Sequence, residues 1–390
     1  MLNIKDLSVA FSSKSDFDLK RANLLFRILS NPVINKVGAT LTQKALDYKL
    51  PIEPLILSTI YQQFVGGTSP EKCIKSINEL SKYNIETVLD YSVEAKKTNE
   101  GFDQTVQEIS SLIDFSKDHP GLTFTVVKMT GIASFELLEK ISSNVSLSSE
   151  EQKEWDKSVQ RLDTLCNKAL ENKLKFFIDA EESWIQVAID QQAKEMMKKY
   201  NKEKANVFTT FQMYRNDRID YLKNCILDAQ ENNYYFGVKL VRGAYLEQEN
   251  ERAKELCYPS PMNTSKQNTD KCYDQAVEIC LQSLKQVSFC LASHNEESTL
   301  KLVNYMKKHD LKTNHPHISF AQLYGMSDHI SYNLAKSDYT TLKYIPYGPV
   351  NDVIPYLMRR AEENVSMTGQ MSRELQYLQD ELLRRKTNRT

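Results

Sequence analysis

The chain has 390 residues, with 50 Lys and Arg against 51 Asp and Glu, and 41% of its residues are hydrophobic. The formal net charge of −1 lacks the excess of positive charge typical of nucleic-acid binders, so we expect no nucleic-acid partner. The hydrophobic content excludes general disorder, and no apolar run reaches the roughly 20 residues that span a lipid bilayer.

The N-terminus mixes acidic with basic residues, so it resembles neither a secretory signal nor an acid-poor transit peptide. The seven cysteines are an odd number and include no CxxC pair. This usage is typical of free thiols in a reducing compartment rather than of a disulfide framework or a zinc site. We therefore expect a protein of the cytoplasm or of the interior of an organelle.

Residues 1–82 carry helical periodicity and are predicted to form an N-terminal helical arm before a domain that covers residues 83–390. Leu24, Leu25, Ile28 and Leu29 have the spacing of one helix face. Glycines and a Ser-Pro pair then precede a further short helix, Glu71–Tyr83.

Eight short runs rich in apolar, β-branched and aromatic residues follow, and longer stretches with helical features separate them. The alternation predicts an α/β fold built of parallel βαβ units, and eight units predict a (β/α)₈ barrel. A doubly wound open sheet is the alternative, although no GxGxxG follows any run. The predicted strands are Ile85–Tyr91, Leu122–Lys128, Leu174–Asp179, Asn206–Gln212, Phe236–Arg242, Ser288–Ser293, His317–Ala321 and Leu342–Ile345.

Each predicted strand ends in polar or ionisable groups. In a barrel, the carboxyl ends of all the strands meet on the face that holds the active site. Polar residues at eight successive strand ends therefore predict a site. They are Asp90, Lys128, Asp179 with Glu181 and Glu182, Gln212, Arg242, Ser293 with His294 and Asn295, Gln322 and Tyr344.

Two of these groups have ordinary structural explanations as well. Lys128 could extend its ammonium to water at a strand end, and Asp179 could cap the helix that follows it. Lys239 is harder to explain in this way, because it interrupts the apolar run of a strand that should be buried. A buried charge needs a partner, and we expect salt bridges between the acidic run at Asp179 and the nearby cations.

Arg359 and Arg360 precede Glu363 on the predicted last helix of the barrel. Arg359 and Glu363 are four residues apart, which also suits a solvated ion pair. The functional alternative is a pair of guanidiniums that grips a small carboxylate or phosphate.

Together these segments resemble the proline dehydrogenase family. The similarity runs in order from about Val88 to Asn364, and the KLVRGAY strand and the YLxRRxxEN helix are its most specific parts. The matching segments are VLDYSVEAKK (88–97), FIDAEES (177–183), FQMY (211–214), GVKLVRGAYLEQE (237–249), ASHN (292–295), FAQLYGM (320–326), YIPYGP (344–349) and YLMRRAEEN (356–364).

The resemblance implies a distorted (β/α)₈ barrel that holds non-covalent FAD and transfers a hydride from L-proline to flavin N5. It implies catalytic roles for Asp179 and Lys239, the lysine being a cation near the flavin ring. Substrate binding is implied for Lys128, Tyr245, Leu323, Tyr344, Arg359, Arg360 and Glu363. FAD binding is implied for Ala180, Gln212, Lys239, Val241, Arg242, Gly243, Ser293, His294, Asn295 and Gln322.

Many bacterial family members have Arg where this chain has Lys239, a lysine shared with the mitochondrial-type branch. The segment after Tyr245 resembles the longer connection of that branch and is either a lid or an insertion.

The family usually passes electrons to a membrane quinone, which implies peripheral membrane contact. The implied location is the inner face of the membrane, either in the cytoplasm or on the matrix side in a mitochondrion. Leu375, Leu378 and Leu382 with the basic C-terminus suit such a contact, or equally a docked helix. We expect no fused aldehyde-dehydrogenase module.

Three alternatives stay open. A trans-4-hydroxy-L-proline dehydrogenase would resemble this chain, but relatives that prefer hydroxyproline carry a small residue where Tyr344 stands. A flavin-free lyase would form a Schiff base at Lys128 or Lys239. A non-catalytic protein would bind small carboxylates without converting them.

Overall fold

The computed structural model describes residues 2–31, 48, 53–92, 97–366 and 370–388. Within these ranges it describes every side chain except those of residues 55, 359, 361–366 and 370–372. The chain divides into two compact units, one of Met1–Glu94 with Gln322–Thr390 and the other of Ala95–Ala321. The domain boundary between residues 82 and 83 stays a prediction.

Eight β-strands follow one another in chain order round a closed barrel. This confirms the predicted α/β class and the (β/α)₈ architecture. All eight predicted strands are present, and no strand end differs from its prediction by more than two residues. They are β1 (Ile85–Tyr91), β2 (Leu122–Val127), β3 (Lys175–Ile178), β4 (Val207–Gln212), β5 (Phe236–Val241), β6 (Val287–Ala292), β7 (Ile318–Leu323) and β8 (Thr341–Tyr347).

Helices alternate with the strands, and further helices precede β1 and follow β8. A short π-helical turn, Leu57–Tyr61, interrupts the N-terminal set, and short 3₁₀ turns span Ser116–Asp118 and Met129–Gly131. The described α-helices are Leu7–Ala10, Asp16–Leu29, Glu53–Ile56, Gln62–Phe64, Pro70–Ser81, Asn99–Phe115, Phe135–Ser142, Ser149–Glu171, Ser183–Tyr200, Arg218–Glu231, Leu246–Glu255, Lys266–Gln282, Glu296–Lys308, Asp328–Lys336, Val350–Ser366 and Gln370–Thr387.

The unit Ala95–Ala321 contains a polar layer inside its sheet. Thr210 pairs in register with Lys239, Lys239 with Cys290, and Cys290 with Ser319. Register partners on parallel strands point to the same face, so these four side chains share one side of the sheet. The neighbours of Lys239 in this layer are small, which leaves space for its long side chain.

The unit Met1–Glu94 with Gln322–Thr390 is built on the pairing of β1 with β8, which runs from Ile85 opposite Thr341 to Tyr91 opposite Tyr347. Gly66 packs against this pair, and its N–H donates to the carbonyl of Pro346 at 2.9 Å. A Cβ atom on Gly66 would lie 2.4 Å from Cγ2 of Ile345, so only glycine allows this close approach.

The N-terminal helix Asp16–Leu29 was predicted, but its apolar face was not predicted correctly. The buried residues are Leu19, Ala22, Phe26 and Leu29, whereas Leu24 is 60% exposed. The predicted set joined parts of two faces, because leucine and isoleucine occur all round this helix.

The C-terminal helix Gln370–Thr387 packs its leucine stripe inside the same unit. Leu378 is buried, and Leu375 and Leu382 are partly buried against the core that contains the helix Asp16–Leu29. Arg385 pairs with Glu381 at 2.7 Å and with Asp16 at 2.9 Å. The docked helix is therefore the correct alternative, and this leucine stripe does not face a membrane.

No helix in the described part of the chain combines the length and the apolar character needed to cross a membrane. All seven cysteines carry free thiols, as predicted. Six of the seven are at least partly buried, and Cys257 is exposed.

Candidate active site

Polar side chains stand where strands end in the unit Ala95–Ala321. Lys128 directly follows β2, Asp179 directly follows β3, and Gln212 is the last residue of β4. Arg242 and Ser293 directly follow β5 and β6. The structure thus places these five predicted site residues at the carboxyl ends of successive strands, the edge where barrel enzymes carry their chemistry.

Lys239 and Asp179 form a buried ion pair. The ammonium of Lys239 donates to Oδ1 of Asp179, and the side chains are 6% and 13% exposed. The ammonium also lies 4.8 Å from the ring centroid of Phe177, a residue of β3 two positions before Asp179. The partner that the sequence required for Lys239 is therefore Asp179.

The guanidinium of Arg242 is fixed on several sides. Its nitrogens donate to Oδ1 of Asp270 at 2.6 Å, to Oγ of Ser293 at 2.7 Å and to Oγ of Ser298 at 3.0 Å. Its Cζ lies 4.3 Å from the ring centroid of Tyr273. Arg242 remains 22% exposed, so this oriented cation is accessible from solvent.

Asn295 is the N-cap of the helix Glu296–Lys308. Its Oδ1 accepts from the N–H of Ser298 at 3.0 Å, and its own N–H donates to Oγ of Ser293 at 3.0 Å. His294, between the two, is half-buried. The N-terminus of this helix and the guanidinium of Arg242 therefore share Ser293 and Ser298, and both favour negative charge.

The turn after β5 brings its backbone to the surface. Gly243 is exposed and has φ of +135°, and a Cβ atom there would lie 2.6 Å from ring carbons of Tyr214. Both facts require glycine. Gln212 supports this turn, because its Oε1 accepts from the N–H of Ala244 at 3.4 Å. Val241, which ends β5, is half-buried.

This donor set fits an anionic dinucleotide such as FAD. A fixed guanidinium, serine hydroxyls and a helix N-terminus are groups that bind phosphates. The exposed glycine turn admits close approach of a ligand, and the half-buried Ala180 between Asp179 and Glu181 adds no bulk. Lys239 supplies a cation from within β5, two residues before that strand ends.

The acidic run after β3 contains Glu181, which the sequence placed among the strand-end residues without assigning it a role. Glu181 is 3% exposed, and burial raises the pKa of its carboxyl to about 7. Hydrogen bonds from Thr130 act in the opposite direction without cancelling this effect. The only sequence signal for Glu181 was its position in the run Asp-Ala-Glu-Glu.

The segment after Tyr245 is docked on the rest of its unit. Tyr245 is half-buried and precedes the helix Leu246–Glu255, in which Glu249 is fully buried. The carboxylate of Glu249 accepts from the N–H and the hydroxyl of Ser183, both at 2.6 Å. Glu249 therefore supplies the N-terminal cap of the helix Ser183–Tyr200, and sequence spacing gave no sign of it.

Arg252, one turn after Glu249, adds a second attachment. It pairs with Glu139 and lies 4.5 Å from the ring centroid of Trp184.

The other unit carries Gln322, Leu323 and Tyr344. Gln322 accepts from the hydroxyl of Ser331 at 2.8 Å, and Leu323 ends β7. Tyr344 lies within β8, is 8% exposed, and accepts at its carbonyl from the N–H of Tyr324 at 2.9 Å.

Lys343, next to Tyr344, fixes the backbone that carries Leu323. Its ammonium lies 2.8 Å from Oδ1 of Asp328 and donates to the carbonyls of Met326 at 2.5 Å and Leu323 at 3.3 Å. The side chain is 1% exposed. This lysine was not predicted from the sequence, although a charged residue in a buried strand is the signal that identified Lys239.

The helix Val350–Ser366 contains Arg359, Arg360 and Glu363. The side chains of Arg359 and Glu363 lie outside the described part of the structure, so their roles stay predictions. Arg360 is half-buried, and its Cζ lies 5.4 Å from the ring centroid of Tyr356.

A family model described as proline dehydrogenase matches residues 73–373. The chain is 30% identical to proline dehydrogenase 1, mitochondrial, of Dictyostelium discoideum over 426 residues, which is 97% of this chain and 74% of that protein. It is 33% identical to the carbapenem antibiotics biosynthesis protein CarD of Pectobacterium carotovorum subsp. carotovorum, over 85% of each chain. Human proline dehydrogenase 1, mitochondrial, is 39% identical over 60% of this chain and 40% of that protein.

Among solved structures, the chain resembles proline utilization A from Bdellovibrio bacteriovorus with a TM-score of 0.71 and 20% identity. The match covers 94% of this chain and 38% of that longer protein. At this level of identity the likeness supports the barrel fold alone.

Proposed function

The chain belongs to the proline dehydrogenase family, and from this premise we propose that it is an FAD-dependent enzyme that oxidises L-proline to Δ1-pyrroline-5-carboxylate. Family membership argues against the Schiff-base lyase and against the non-catalytic carboxylate binder. The observation that carries the proposal is the buried pair of Lys239 and Asp179, which lies inside the matched region, with the oriented Arg242 three residues after Lys239 in the chain.

For the substrate, we propose that cationic side chains bind the carboxylate of proline and that apolar and aromatic side chains pack on its ring. Fixing the carboxylate would orient the C–H bond that breaks, which is a positioning problem. The carboxylate ligands would be Lys128, Arg359 and Arg360, with Glu363 towards the ammonium side. The ring contacts would be Tyr245, Leu323 and Tyr344.

For the cofactor, we propose that the donor set of the strand edge holds FAD. When bound, FAD would take up the hydride that proline releases. Arg242 and the helix N-terminus at Asn295 would neutralise the phosphates, and Lys239 would favour negative charge near the ring system. The proposed FAD contacts are Ala180, Gln212, Lys239, Val241, Arg242, Gly243, Ser293, His294, Asn295 and Gln322.

The test is a visible absorption spectrum of the purified protein under oxygen-free conditions, before and after L-proline is added. We expect a flavin band at about 450 nm that bleaches with L-proline. A protein that has no flavin and takes up none on addition of FAD would contradict the proposal, as would a flavin that L-proline leaves oxidised.

The second candidate is a trans-4-hydroxy-L-proline dehydrogenase. The hydroxyproline dehydrogenase of Xenopus laevis is 28% identical over 97% of this chain and 89% of that protein. The bulk of Tyr344 favours proline, because a ring packed on tyrosine leaves little space for an added hydroxyl. Hydroxyproline should therefore bleach the flavin much more slowly than proline, and Tyr344→Ser should narrow the difference. A flavin that responds only to hydroxyproline would favour the second candidate.

For the electrons, we propose a quinone acceptor and peripheral contact with the inner face of a membrane, cytoplasmic or on the matrix side in a mitochondrion. An exposed apolar stripe on the helix Asp16–Leu29 supports membrane contact. Phe17, Leu24 and Ile28 share one helix face and are 74%, 60% and 41% exposed. Exposed Lys20 and Arg27 flank them, and such a mixture suits an anionic lipid surface.

Sedimentation with lipid vesicles tests the contact. The protein should sediment with phosphatidylglycerol vesicles, and the double variant Phe17→Ser/Leu24→Ser should sediment less. Equal sedimentation of the variant would exclude this stripe as the contact, and no sedimentation of either protein would contradict the membrane proposal.

A further inference from the structure

Glu181 lies behind the candidate site and holds the turn that follows Lys128. Its carboxylate accepts the N–H of Thr130 at 3.0 Å and also the hydroxyl of Thr130. Thr130 is the middle residue of the 3₁₀ turn Met129–Gly131, and Lys128 caps that turn through its carbonyl, which accepts the N–H of Gly131 at 3.0 Å. One buried carboxylate therefore fixes the backbone directly after Lys128.

The backbone of Glu181 is itself held from two other elements. Its N–H donates to Oε1 of Gln186 at 2.8 Å, and its carbonyl accepts from Nε2 of Gln212 at 2.6 Å. Gln186 belongs to the helix Ser183–Tyr200 and donates to Asp190 at 2.9 Å. Glu181 thus connects the end of β4 and a helix to the turn after β2.

This network extends into a second buried ion pair. Asp190 lies 2.7 Å from Arg218, and both side chains are 4% exposed. Apart from the half-buried Thr130, the members of this chain of hydrogen bonds are buried, which leaves it few alternative arrangements. The carboxylate of Glu181 is therefore held in one position, and the turn Met129–Gly131 is hydrogen-bonded to it.

The position requires a hydrogen-bond acceptor. An apolar side chain here would leave the N–H and the hydroxyl of Thr130 without their acceptor, and burying a carboxylate is unfavourable unless such donors are present. The charged groups that act on Glu181 are Lys128, which favours the ionised form, and Glu182, which opposes it. The acid is therefore coupled to Lys128 both through the backbone turn and through the electric field.

We propose that Glu181 is a positioning residue that, by clamping Thr130, holds the ammonium of Lys128 where it binds the carboxylate of the substrate. This inference rests on the proposed function. Glu181 acts through Lys128 and does not itself touch the substrate. Loss of Glu181 should weaken the binding of the substrate's carboxylate and leave the binding of its ring unchanged.

The experiment compares two ligands on the FAD-loaded protein. Tetrahydrofuran-2-carboxylate has the ring and the carboxylate of proline but lacks the oxidisable amine, whereas pyrrolidine has the ring and the amine but no carboxylate. The dissociation constant of each is measured from the change in the flavin spectrum. The variants are Glu181→Gln and Thr130→Val, with Thr130→Ser as the control that keeps the hydroxyl.

We expect Glu181→Gln and Thr130→Val to weaken the binding of tetrahydrofuran-2-carboxylate about tenfold, because losing a charge-assisted hydrogen bond of the clamp releases Lys128 from its position. Thr130→Ser should bind it as the unmodified protein does, and pyrrolidine should bind all four proteins alike. With L-proline, the KM should rise in the two variants while kcat stays within about twofold. Thr130→Val retains the carboxylate, so it tests the clamp even where Glu181→Gln fails to fold.

The pH dependence gives an independent readout. Because the pKa of Glu181 lies at about 7, affinity for tetrahydrofuran-2-carboxylate should fall in the unmodified protein as the pH falls through neutrality. Glu181→Gln should lack this step.

Unchanged binding of the carboxylate ligand in both variants would overturn the clamp alone, and so would an equal loss of pyrrolidine binding. An unmodified protein whose flavin L-proline does not reduce would instead overturn the proposed function, and this inference with it.

Discussion

Lys239 and Asp179 form an ion pair in which the burial of each charge depends on the presence of the other. Both are nearly buried, and removing both charges from water is unfavourable unless the pair is formed. Breaking such a pair from one side leaves an uncompensated charge, whereas removing both charges together avoids this. Stability measurements can therefore separate the pair from its individual members.

We predict that Lys239→Met destabilises the FAD-free protein by about 3–5 kcal/mol, because Asp179 loses its cationic partner. The double variant Asp179→Asn/Lys239→Met should lose less than the sum of the two single variants. The measurement is the free energy of unfolding in urea at neutral pH.

The matched control is Lys204→Met, which removes an exposed lysine in the loop before β4 and should change the unfolding free energy by no more than about 0.5 kcal/mol. Strict additivity of the two single variants at the Asp179–Lys239 pair would show that the pair is not energetically coupled.

The sequence identified some residues of the site for physical reasons and could not identify others. Lys239 stood out because a charge interrupted an apolar strand, and a buried charge requires a partner. Glu181, Thr130 and Glu249 gave no such signal, since glutamates and threonines near helix starts are common in any sequence. Their contacts join residues that are 51 and 66 positions apart in the sequence, and no local sequence pattern predicts contacts at such separations.

At the scale of elements, the strands were predictable because each apolar run is short and bounded by polar residues. All eight were located to within two residues on this basis. Helix faces were harder, as the helix Asp16–Leu29 shows. Periodicity identifies a helix, but which of two apolar faces is buried depends on the partner helix Gln370–Thr387, which is distant in sequence.

The helix Leu246–Glu255 lies in the segment that the sequence interprets as either a lid or an insertion. Its attachments through Glu249 and Arg252 show that this helix is docked on its unit. Glu249 is fully buried and satisfies two donors of Ser183. The order of this helix, and hence the placement of Tyr245 before it, should depend on one carboxylate.

We predict that Glu249→Gln increases the rate of local opening of the helix Leu246–Glu255. An amide offers one acceptor oxygen, and its NH₂ group would face the donors of Ser183, so the cap is lost on one side. Amide hydrogen exchange across residues 249–256 should accelerate at least about tenfold, which corresponds to about 1.4 kcal/mol.

Glu247→Gln provides the control, because Glu247 lies in the first turn of the same helix but is exposed. Its exchange rates should match those of the unmodified protein. Unaltered protection in Glu249→Gln would mean that Arg252 and the remaining contacts are sufficient to hold the helix.

At the scale of the whole molecule, buried acids make stability depend on pH. A carboxyl whose pKa is raised by folding binds a proton more tightly in the native state than in the unfolded chain. Its contribution to stability is therefore complete below its unfolded pKa and is lost as the pH rises through its folded pKa. For Glu181 the contribution is lost in the pH window between its ordinary pKa of 4.5 and its folded pKa of about 7.

We predict that Glu181→Gln removes part of the loss of stability that accompanies a rise from pH 4.5 to pH 7. The folded and unfolded pKa values of Glu181 correspond to a contribution of at most about 3 kcal/mol over this window. The free energy of unfolding in urea, measured across the window, should therefore fall less steeply with pH in the variant than in the unmodified protein. Glu231→Gln, at an exposed position, should reproduce the slope of the unmodified protein. Parallel slopes for Glu181→Gln and the unmodified protein would show that Glu181 is ionised throughout the window, held so by Lys128 and Thr130.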